Sequence, residues 1–185
     1  MIKRVFDALS ASIFLTILSP VFLVVGIAVR LDDGGPIFFH QLRVGRAGRL
    51  FTMYKFRSMV VNGPDLGGFS TEPDDFRITR VGRVIRRLSL DELPQLLNVL
   101  KGDMSFVGPR PDLLEQESLY LASEWSLRHS VRPGITGLAQ ATLRSEATPS
   151  ERKQLDLMYV RSQSLYLDLK ILMQTLNQLI VKGGN

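Results

Sequence analysis

A long apolar stretch near the start of the chain is the strongest pattern in the sequence. From Ala8 to Val29 there are 22 positions without a charged residue. As a helix they would extend roughly 33 Å, about the thickness of a bilayer core. A cleaved signal peptide has a shorter apolar region and a small-residue cleavage site, and no such site follows here. The pattern therefore predicts a membrane element that is retained.

Two features predict that this element bends and returns. Ser19-Pro20 falls near its middle, where proline removes a helix hydrogen bond and bends the axis. Lys3 and Arg4 precede the apolar stretch and Arg30 follows it, and basic flanks favour the cytoplasmic side. A helix that enters and leaves the same leaflet places both flanks on that side. The pattern thus favours a re-entrant helix, with a kinked single-pass anchor as the open alternative.

Beyond Arg30 the pattern changes to short elements. The runs 37–39 and 50–54 are β-prone and are separated by a basic, glycine-containing turn over 41–49, which predicts a β-hairpin. The segment 62–77 is rich in Gly, Pro and Asp and predicts a loop, with a lid as one interpretation. Helical patterns follow over 78–88, 93–100, 112–129, 150–161 and 165–181.

These patterns define the fold class. The segment 78–88 is basic and amphipathic, so it either lies on an anionic membrane surface or turns its apolar side to the core. Lys101 and Gly102 supply the basic last turn and the glycine stop that end a helix. We expect an α+β protein, mostly α with a small β-hairpin, with the membrane helix over 1–30 and a globular domain over 31–185. Candidate polar contacts in the last two helices are Asp156, Tyr159, Asp168 and Lys170.

Composition narrows the classes of partner. The chain has 185 residues, long enough for one domain with a real core, and its 23 basic and 18 acidic residues give a net charge of +5. This balance favours anionic partners such as nucleotide phosphates or acidic lipid. Nucleic acid is not favoured, because the aromatic residues do not interleave with the basic ones. The absence of cysteine excludes disulfides and thiolate metal sites.

Asp91 and Glu92 are the candidate centre of the chemistry. Ser89 and Glu92 have the spacing of a capping box, which would make Glu92 a structural residue. Pro94 would then be the fifth helical residue, where it disrupts the first turns. If Asp91 is the N-cap instead, Pro94 falls at the third helical position and the helix field keeps the carboxylate ionised. Asp91 is then either a cap or a nucleophile, and spacing alone leaves both open.

The basic residues nearby suggest a phosphate site. Arg110 lies between Pro109 and Pro111, which stiffen the backbone around a guanidinium whose planar donors suit phosphate. The alternative is a turn that carries a solvated charge. On the hairpin, the side chains of Arg43, Lys55 and Arg57 are expected to meet on one face.

With these segments placed, the sequence closely resembles the bacterial sugar transferase family, the monotopic phosphoglycosyl transferases. The resemblance extends over nearly the whole chain and is specific through the order of its motifs rather than through one of them. The motifs are Ser19-Pro20, Gly35-Pro36-Ile37-Phe38, Tyr54-Lys55-Phe56-Arg57-Ser58-Met59, Leu90-Asp91-Glu92-Leu93-Pro94-Gln95, Lys101 to Pro111, Arg132-Pro133-Gly134-Ile135-Thr136-Gly137-Leu138 and Leu167-Asp168-Leu169-Lys170.

The resemblance implies an activity and a set of roles. Family members transfer a sugar-1-phosphate from a UDP-sugar to a membrane polyprenol (undecaprenyl) phosphate, release UMP and start glycoconjugate assembly. The reaction is ping-pong, with Mg²⁺ as the usual cofactor. By this resemblance Asp91 is the nucleophile and a metal ligand, Glu92 assists it and Arg110 contacts phosphate. The further phosphate-binding helpers that it implies are Lys55, Arg57, Arg86 and Arg132.

The resemblance also implies a location. The re-entrant helix, broken at Ser19-Pro20, lies in the cytoplasmic leaflet of the bacterial inner membrane, and 31–185 form a cytoplasmic catalytic domain in the minimal short form of the family. The alternatives are a non-catalytic monotopic module that binds anionic lipid and a metal-dependent phosphohydrolase. The sequence leaves open which UDP-sugar is used, the prenol length and whether the protein forms a homodimer. We also expect 62–77 and 142–150, which match no motif, to set sugar preference.

Overall fold

A computed structural model describes residues 2–66, 75–143 and 148–182. Within these ranges the chain is mostly helical with a small antiparallel sheet, as predicted. The helices are α1 (Ile2–Ile17), α2 (Ser19–Asp33), α3 (Arg80–Arg87), α4 (Gln95–Lys101), α5 (Ala122–Arg128), α6 (Leu138–Thr142), α7 (Pro149–Ser162) and α8 (Leu165–Lys182). The strands are β1 (Phe38–Val44), β2 (Leu50–Phe56), β3 (Ser105–Val107) and β4 (Gly134–Thr136).

α1 and α2 form a bent pair. Their axes differ by 62°, and the break falls at Leu18, directly before Ser19-Pro20. The Ser19 hydroxyl donates to the carbonyl of Thr16 at 2.8 Å, so it satisfies a carbonyl that the break releases. Within the described residues no single helix is long and apolar enough to cross a membrane; the two together have that length and composition. The predicted interruption of the helix is confirmed.

The start of α1 is fixed to the globular part of the chain. The Lys3 ammonium donates to the Asp168 carboxylate at 2.5 Å and to the Val107 carbonyl at 3.1 Å. Arg4 donates to the carbonyls of Val99 and Leu100, both at 2.6 Å, at the end of α4. Both basic residues before the apolar stretch are therefore structural contacts of the folded chain.

The end of α2 returns to the same globular body. Asp32 accepts a hydrogen bond from the backbone N–H of Val81 at 3.0 Å, and Asp33 forms an ion pair with the buried Arg57. Gly34 ends the helix with a positive φ of 73°, a conformation that glycine adopts without steric cost. Both ends of the α1–α2 pair are thus bound to the globular part of the chain by hydrogen bonds and ion pairs.

The hairpin is confirmed and is longer than predicted. β1 and β2 are antiparallel, with Phe38 opposite Phe56 and Val44 opposite Leu50. The first strand therefore extends to Val44, into the segment predicted as a turn, because alternating side chains from 38 to 44 match the pleat. Asn98 of α4 accepts from the Tyr54 N–H at 3.0 Å and donates to the Thr52 carbonyl at 2.7 Å, which attaches the hairpin to α4.

A second, parallel strand pair was not predicted. β3 and β4 pair Ser105 with Gly134 and Val107 with Thr136, which joins two of the sequence motifs. Gly108 explains one of the glycines in these motifs, because a side chain there would place its Cβ 2.4 Å from the carbonyl oxygen of Arg132. The close approach of the two backbones therefore requires glycine.

α3 shows both features expected of the 78–88 segment. Thr79 caps the helix by accepting from the Gly82 N–H at 2.9 Å. Ile85 is buried against Val25 and Val29 of α2, whereas Val84 is exposed. One apolar edge thus faces the core and another faces outward.

The continuous helix predicted over 112–129 is wrong. Residues Leu114–Leu119 form a 3₁₀ turn and only Ala122–Arg128 are α-helical. The reason is a buried charge cluster, since Arg128 pairs with Asp112 and with Asp156 of α7, the latter at 2.7 Å. Asp112 has to turn inward to reach this guanidinium, which a single surface helix does not allow. The expectations for 67–74 and 144–147 lie outside the described residues.

The cluster around Arg128 generates a stability prediction. Arg128→Met should lower the free energy of unfolding by about 3–5 kcal/mol, because two buried carboxylates lose their cation. Burial already raises the pKa of Asp156 against the lowering effect of Arg128. Without Arg128 this folded-state pKa rises further above the unfolded value, so stability falls as pH rises and the defect should shrink toward acid pH.

Chemical denaturation in detergent between pH 5 and 8 tests this expectation. The matched control is Arg161→Met, which changes an exposed arginine in the last turn of α7 and should shift stability by no more than about 0.5 kcal/mol. Equal losses in the two variants, or a defect that grows toward acid pH, would contradict the buried pairing.

Candidate active site

The candidate site is built on a tight turn between α3 and α4. Leu90–Glu92 form a single 3₁₀ turn, and Ser89 before it has a φ of 55°, an uncommon conformation for a residue other than glycine. α4 begins only at Gln95, after Pro94. The interpretation of Asp91 as the N-cap of the helix is therefore wrong: its side chain caps nothing, and the turn aims it elsewhere.

Glu92 holds two cations on one oxygen. Its Oε1 accepts from Lys55 Nζ at 2.6 Å and from an Arg110 guanidinium nitrogen at 3.0 Å. Burial acts to raise the pKa of Glu92, but the charges and hydrogen bonds of Lys55 and Arg110 hold it well below its usual range. The charge of Glu92 in turn raises the pKa of Arg110. Glu92 is thus ionised, and its Oε1 already has two hydrogen-bond partners.

Asp91 has the opposite surroundings. Its side chain is buried, with 7% exposure, yet its carboxylate forms no hydrogen bond or ion pair with any residue in the described ranges. Burial raises its pKa, and Lys55, Arg86 and Arg110 act in the lowering direction. A buried carboxylate without a partner, close to three cations, marks a candidate functional site.

The loop that carries Arg110 is fixed from two sides. Arg43 of β1 donates to the Pro111 carbonyl at 3.0 Å, and Arg128 donates to the Arg110 carbonyl at 2.8 Å. Burial, followed by the charge of Arg110, lowers the pKa of Arg43 to about 10. Arg86 is positioned separately, since its Nε donates to the Ser58 hydroxyl at 2.9 Å.

The structure separates the candidate basic residues into two groups. Lys55, Arg86 and Arg110 act on Asp91, whereas Arg57 pairs with Asp33 at the end of α2. Arg132 donates to the Gly102 carbonyl at 2.8 Å, and its nearby charges are those of Arg4, Asp7 and Arg46. Of the three residues expected to meet on one hairpin face, Arg43 and Lys55 share a face by the strand register. Arg57 follows β2 and pairs with Asp33 instead, so the expectation is wrong for Arg57.

A cavity of about 720 Å³ adjoins the carboxylate pair. Glu92 and Arg110 lie at its wall, together with Ser89 of the tight turn. Most of its lining surface is apolar, and α1 and α8 contribute Phe6, Phe14, Leu172 and Leu176 to it. The site thus combines charged groups with an extended apolar surface.

The donor set fits a magnesium ion that is shared with substrate. Mg²⁺ usually binds one or two carboxylates and completes its shell with water and substrate phosphates. Asp91 offers a carboxylate without a partner, and Oε2 of Glu92 accepts no hydrogen bond from the described residues. Within those residues there is no cluster of three acidic, histidine or cysteine side chains that would hold a metal alone.

Comparison with known proteins decides the family. A family model described as Bacterial sugar transferase matches residues 1–182. The chain belongs to this family. Among the relatives of this sugar transferase is the uncharacterized sugar transferase EpsL of Bacillus subtilis, 48% identical over 99% of the chain and 89% of EpsL. The exopolysaccharide production protein ExoY of Rhizobium meliloti is 40% identical over the full chain and 88% of ExoY.

Longer relatives have names that state a reaction. The UDP-glucose:undecaprenyl-phosphate glucose-1-phosphate transferase of Klebsiella pneumoniae is 43% identical over 94% of the chain. The chain spans only 39% of that enzyme's length. The sugar transferase thus shares one region with enzymes of this name.

Sequence reasoning missed the residues that support the site. Arg128 holds the Arg110 loop, but in the sequence it is one charge in a polar stretch, and its buried partners are 16 and 28 positions away. The positive φ of Ser89 has no sequence signal, because serine is not selected for that conformation. Charge and proline spacing indicate Asp91 and Arg110 in the sequence, whereas Arg86 is indicated by the family resemblance.

The site generates a prediction about two adjacent carboxylates. Asp91→Asn should leave the free energy of unfolding unchanged or raise it by about 1 kcal/mol at pH 7, because it removes a buried charge without a partner. Glu92→Gln should lower it by about 1–3 kcal/mol, because Lys55 and Arg110 lose their shared anion. Denaturation in detergent with a chelator present measures both.

The pH dependence gives an internal control. The folded-state pKa of Asp91 is raised above its unfolded value, so the wild type should lose stability as pH rises through that interval, and Asp91→Asn should lack this loss. A loss of stability in Asp91→Asn as large as that in Glu92→Gln would show that Asp91 is a structural ion-pair partner.

Proposed function

We propose that this sugar transferase moves a sugar-1-phosphate from a UDP-sugar to a polyprenyl phosphate and releases UMP. The observation that carries the proposal is the Asp91 carboxylate, buried and without a hydrogen-bond partner, next to a Glu92 that is held by Lys55 and Arg110. The names of the Klebsiella relative and of a Caulobacter vibrioides relative support the class of substrates. They do not favour a lipid-binding module or a phosphohydrolase.

The first step is a displacement at phosphorus. An oxygen of Asp91 attacks the β-phosphorus of the UDP-sugar, and the bond from this phosphorus to the bridging oxygen breaks. UMP leaves with the bridging oxygen and its electron pair, and the phosphosugar stays on Asp91 as an acyl phosphate. Burial favours attack, because a poorly solvated carboxylate is a better nucleophile than a hydrated one.

The basic residues handle the charge of the pyrophosphate. Arg110 and Lys55 lie within hydrogen-bond distance of Glu92, so their donors are already oriented beside Asp91. Preorganised cations of this kind stabilise the charge that develops in phosphoryl transfer. Asp91 and the free oxygen of Glu92 would hold Mg²⁺, which when bound neutralises phosphate charge.

The second step restores the enzyme. A phosphate oxygen of the polyprenyl phosphate attacks the same phosphorus, and the bond from phosphorus to Asp91 breaks. The products are a polyprenyl diphosphate sugar and the original carboxylate. Two displacements at one residue give ping-pong kinetics. They also allow one site to receive a water-soluble donor first and a lipid acceptor afterwards.

The bent helix pair supports a place at the membrane. Both ends of the pair are fixed to the same globular body, through Lys3 and Arg4 at one end and Asp32 at the other. A segment anchored in this way has to return to the side from which it entered. Large apolar side chains exposed on the pair are Val5, Phe6, Leu9, Ile13, Phe14, Ile17, Leu23, Val24 and Ile27.

An apolar surface of this extent is unfavourable in water and is typical of lipid contact. The proposal is therefore a re-entrant pair in the cytoplasmic leaflet of the bacterial inner membrane. The site then lies on the cytoplasmic face, where nucleotide sugars are found. Re-entry also brings the site to the depth of a lipid phosphate.

The covalent step is tested by intact mass. Enzyme mixed with a panel of UDP-sugars and Mg²⁺, without lipid acceptor, should gain the mass of one phosphosugar and release one equivalent of UMP. The increment should map to Asp91 and be absent in Asp91→Asn, which should retain its fold and its binding to vesicles. A chelator should suppress the adduct.

The outcomes separate the candidate functions. Adduct with stoichiometric UMP supports the proposal, and continuous release of free sugar phosphate without acceptor would favour hydrolysis. Turnover that persists in Asp91→Asn would end the role of Asp91 as nucleophile.

The topology is tested by cysteine labelling, for which this chain offers a clean background because it has no cysteine. Ile2→Cys and Leu31→Cys change exposed residues at the two ends of the bent pair. Both should react with a membrane-impermeant maleimide in inverted vesicles and not in intact cells. Ser162→Cys, exposed at the end of α7, is the control for the cytoplasmic side. Labelling of Ile2→Cys from the outer side alone would refute re-entry.

A further inference from the structure

α1 and α8 face each other across the cavity beside the carboxylate pair. On α1 the lining residues Phe6, Ser10 and Phe14 are four positions apart, so they form one face of the helix. On α8 the lining residues Leu172, Thr175 and Leu176 form a second face by the same spacing. Each wall is therefore one continuous helix surface.

The two helices are joined at their starts. Lys3 in the first turn of α1 pairs with Asp168 in the first turn of α8 at 2.5 Å. Tyr159 of α7 donates to Asp168 at 2.7 Å and to the Val107 carbonyl at 3.0 Å, and Lys3 donates to the same carbonyl. The cavity lies further along both helices. These hydrogen bonds thus fix the separation of α1 and α8 at the starts of the two helices.

The cavity is continuous with the apolar surface of the bent pair. Phe6 and Phe14 line it and are also 53% and 46% exposed, and Leu176 on the opposite wall is 54% exposed. Side chains that are half lining and half exposed form the edge of an opening. Because the exposed side of α1 is the surface proposed to contact lipid, the opening leads from the bilayer to the cavity.

The cavity also has charged residues in its lining. Glu92, Arg110 and Arg152 line it, and Glu92 directly follows Asp91 in the chain, so a ligand that fills the space would combine an anionic group near Arg110 with hydrocarbon along the apolar surface. A nucleotide sugar matches this lining less well, because most of the lining surface is apolar whereas its hydroxyls and uracil need polar partners. A prenyl phosphate matches both the charged residues and the apolar surface.

We propose that this cavity binds the isoprene units of the acceptor lipid that lie nearest its phosphate, which enter laterally between α1 and α8. The inference rests on the proposed function and assigns the place of its second substrate. A volume of about 720 Å³ is that of a small-molecule pocket, so the rest of a long prenyl chain stays in the bilayer. Arg110 then meets the acceptor phosphate where the chain ends.

This placement separates the two half-reactions. The donor reaches Asp91 without passing the apolar walls, whereas the acceptor depends on them. A change that narrows the cavity should therefore impair the second half-reaction and leave the first intact. Failure of the proposed function would instead abolish the first half-reaction, so the two outcomes can be told apart.

Leu176→Trp narrows the cavity, and Met173→Trp is its matched control. Met173 lies on the same helix with 55% exposure but does not line the cavity. Leu176→Trp should raise the KM for undecaprenyl phosphate about tenfold, as expected when a ligand chain loses its fit in an apolar site. UMP release and adduct formation without acceptor should equal those of the wild type, and Met173→Trp should match it in both half-reactions.

A prenyl phosphate of two isoprene units provides a second measurement. The wild type should use it less well than undecaprenyl phosphate, because it lacks the units that stay in the bilayer, and Leu176→Trp should raise its KM by a similar factor, because its two units occupy the same cavity. Equal effects of Leu176→Trp and Met173→Trp on the KM would overturn the inference. So would a KM unchanged by Leu176→Trp together with weaker vesicle binding, since the cavity would then hold a phospholipid acyl chain.

Photo-crosslinking of the unmodified enzyme removes any dependence on a variant that folds poorly. An undecaprenyl phosphate analogue with a diazirine in an isoprene unit close to the phosphate should label peptides of α1 and α8 that contain Phe14 or Leu176. Excess undecaprenyl phosphate should compete with this labelling and phosphatidylglycerol should not. Labels confined to outward residues such as Met173 and Leu169, or equal competition by both lipids, would refute the proposal.

Discussion

The shared hydrogen bonding of one Glu92 oxygen to Lys55 and Arg110 is the interaction on which the site depends. It joins three elements that are distant in the chain: the second strand of the hairpin, the tight turn before α4 and the proline-fixed loop after β3. Because Glu92 neutralises these cations, they stay in place in the buried site, which an unpaired pair of like charges would not do. Asp91, one position earlier, is left with their field but without their hydrogen bonds. One turn of backbone thus gives two adjacent carboxylates different hydrogen bonding and pKa values shifted in opposite directions.

The support behind this interaction extends to the far side of the molecule. Arg43 and Arg128 hold the carbonyls of Pro111 and Arg110, and Arg128 is itself held by two buried carboxylates. The positive φ of Ser89 sets the direction of the turn. A strained residue at such a position is stabilised by the packing around it and is common at functional sites. The proposed nucleophile, Asp91, is therefore positioned by backbone geometry and by charged residues that do not contact it.

How much of this was visible in the sequence depends on the range of each interaction. The break at Ser19-Pro20, the hairpin and the glycine stop of α4 were predicted, because proline, strand alternation and Gly102 act over a few residues. The pairing of β3 with β4 and the helix over 112–129 were not, because their partners lie far along the chain. Arg57 and Arg132 show the same limit: charge and motif marked both as candidates, and only the fold places them on Asp33 and Gly102.

The joint between Lys3 and Asp168 has a consequence for biosynthesis. The two residues are 165 positions apart, so α1 leaves the ribosome long before the carboxylate that completes its first turn exists. During that interval Lys3 lacks its carboxylate partner, so the joint between α1 and α8 cannot form. α8 then completes the packing at the start of α1. Completion of the cavity wall therefore waits on translation of α8, and a nascent chain stalled before residue 168 lacks that wall.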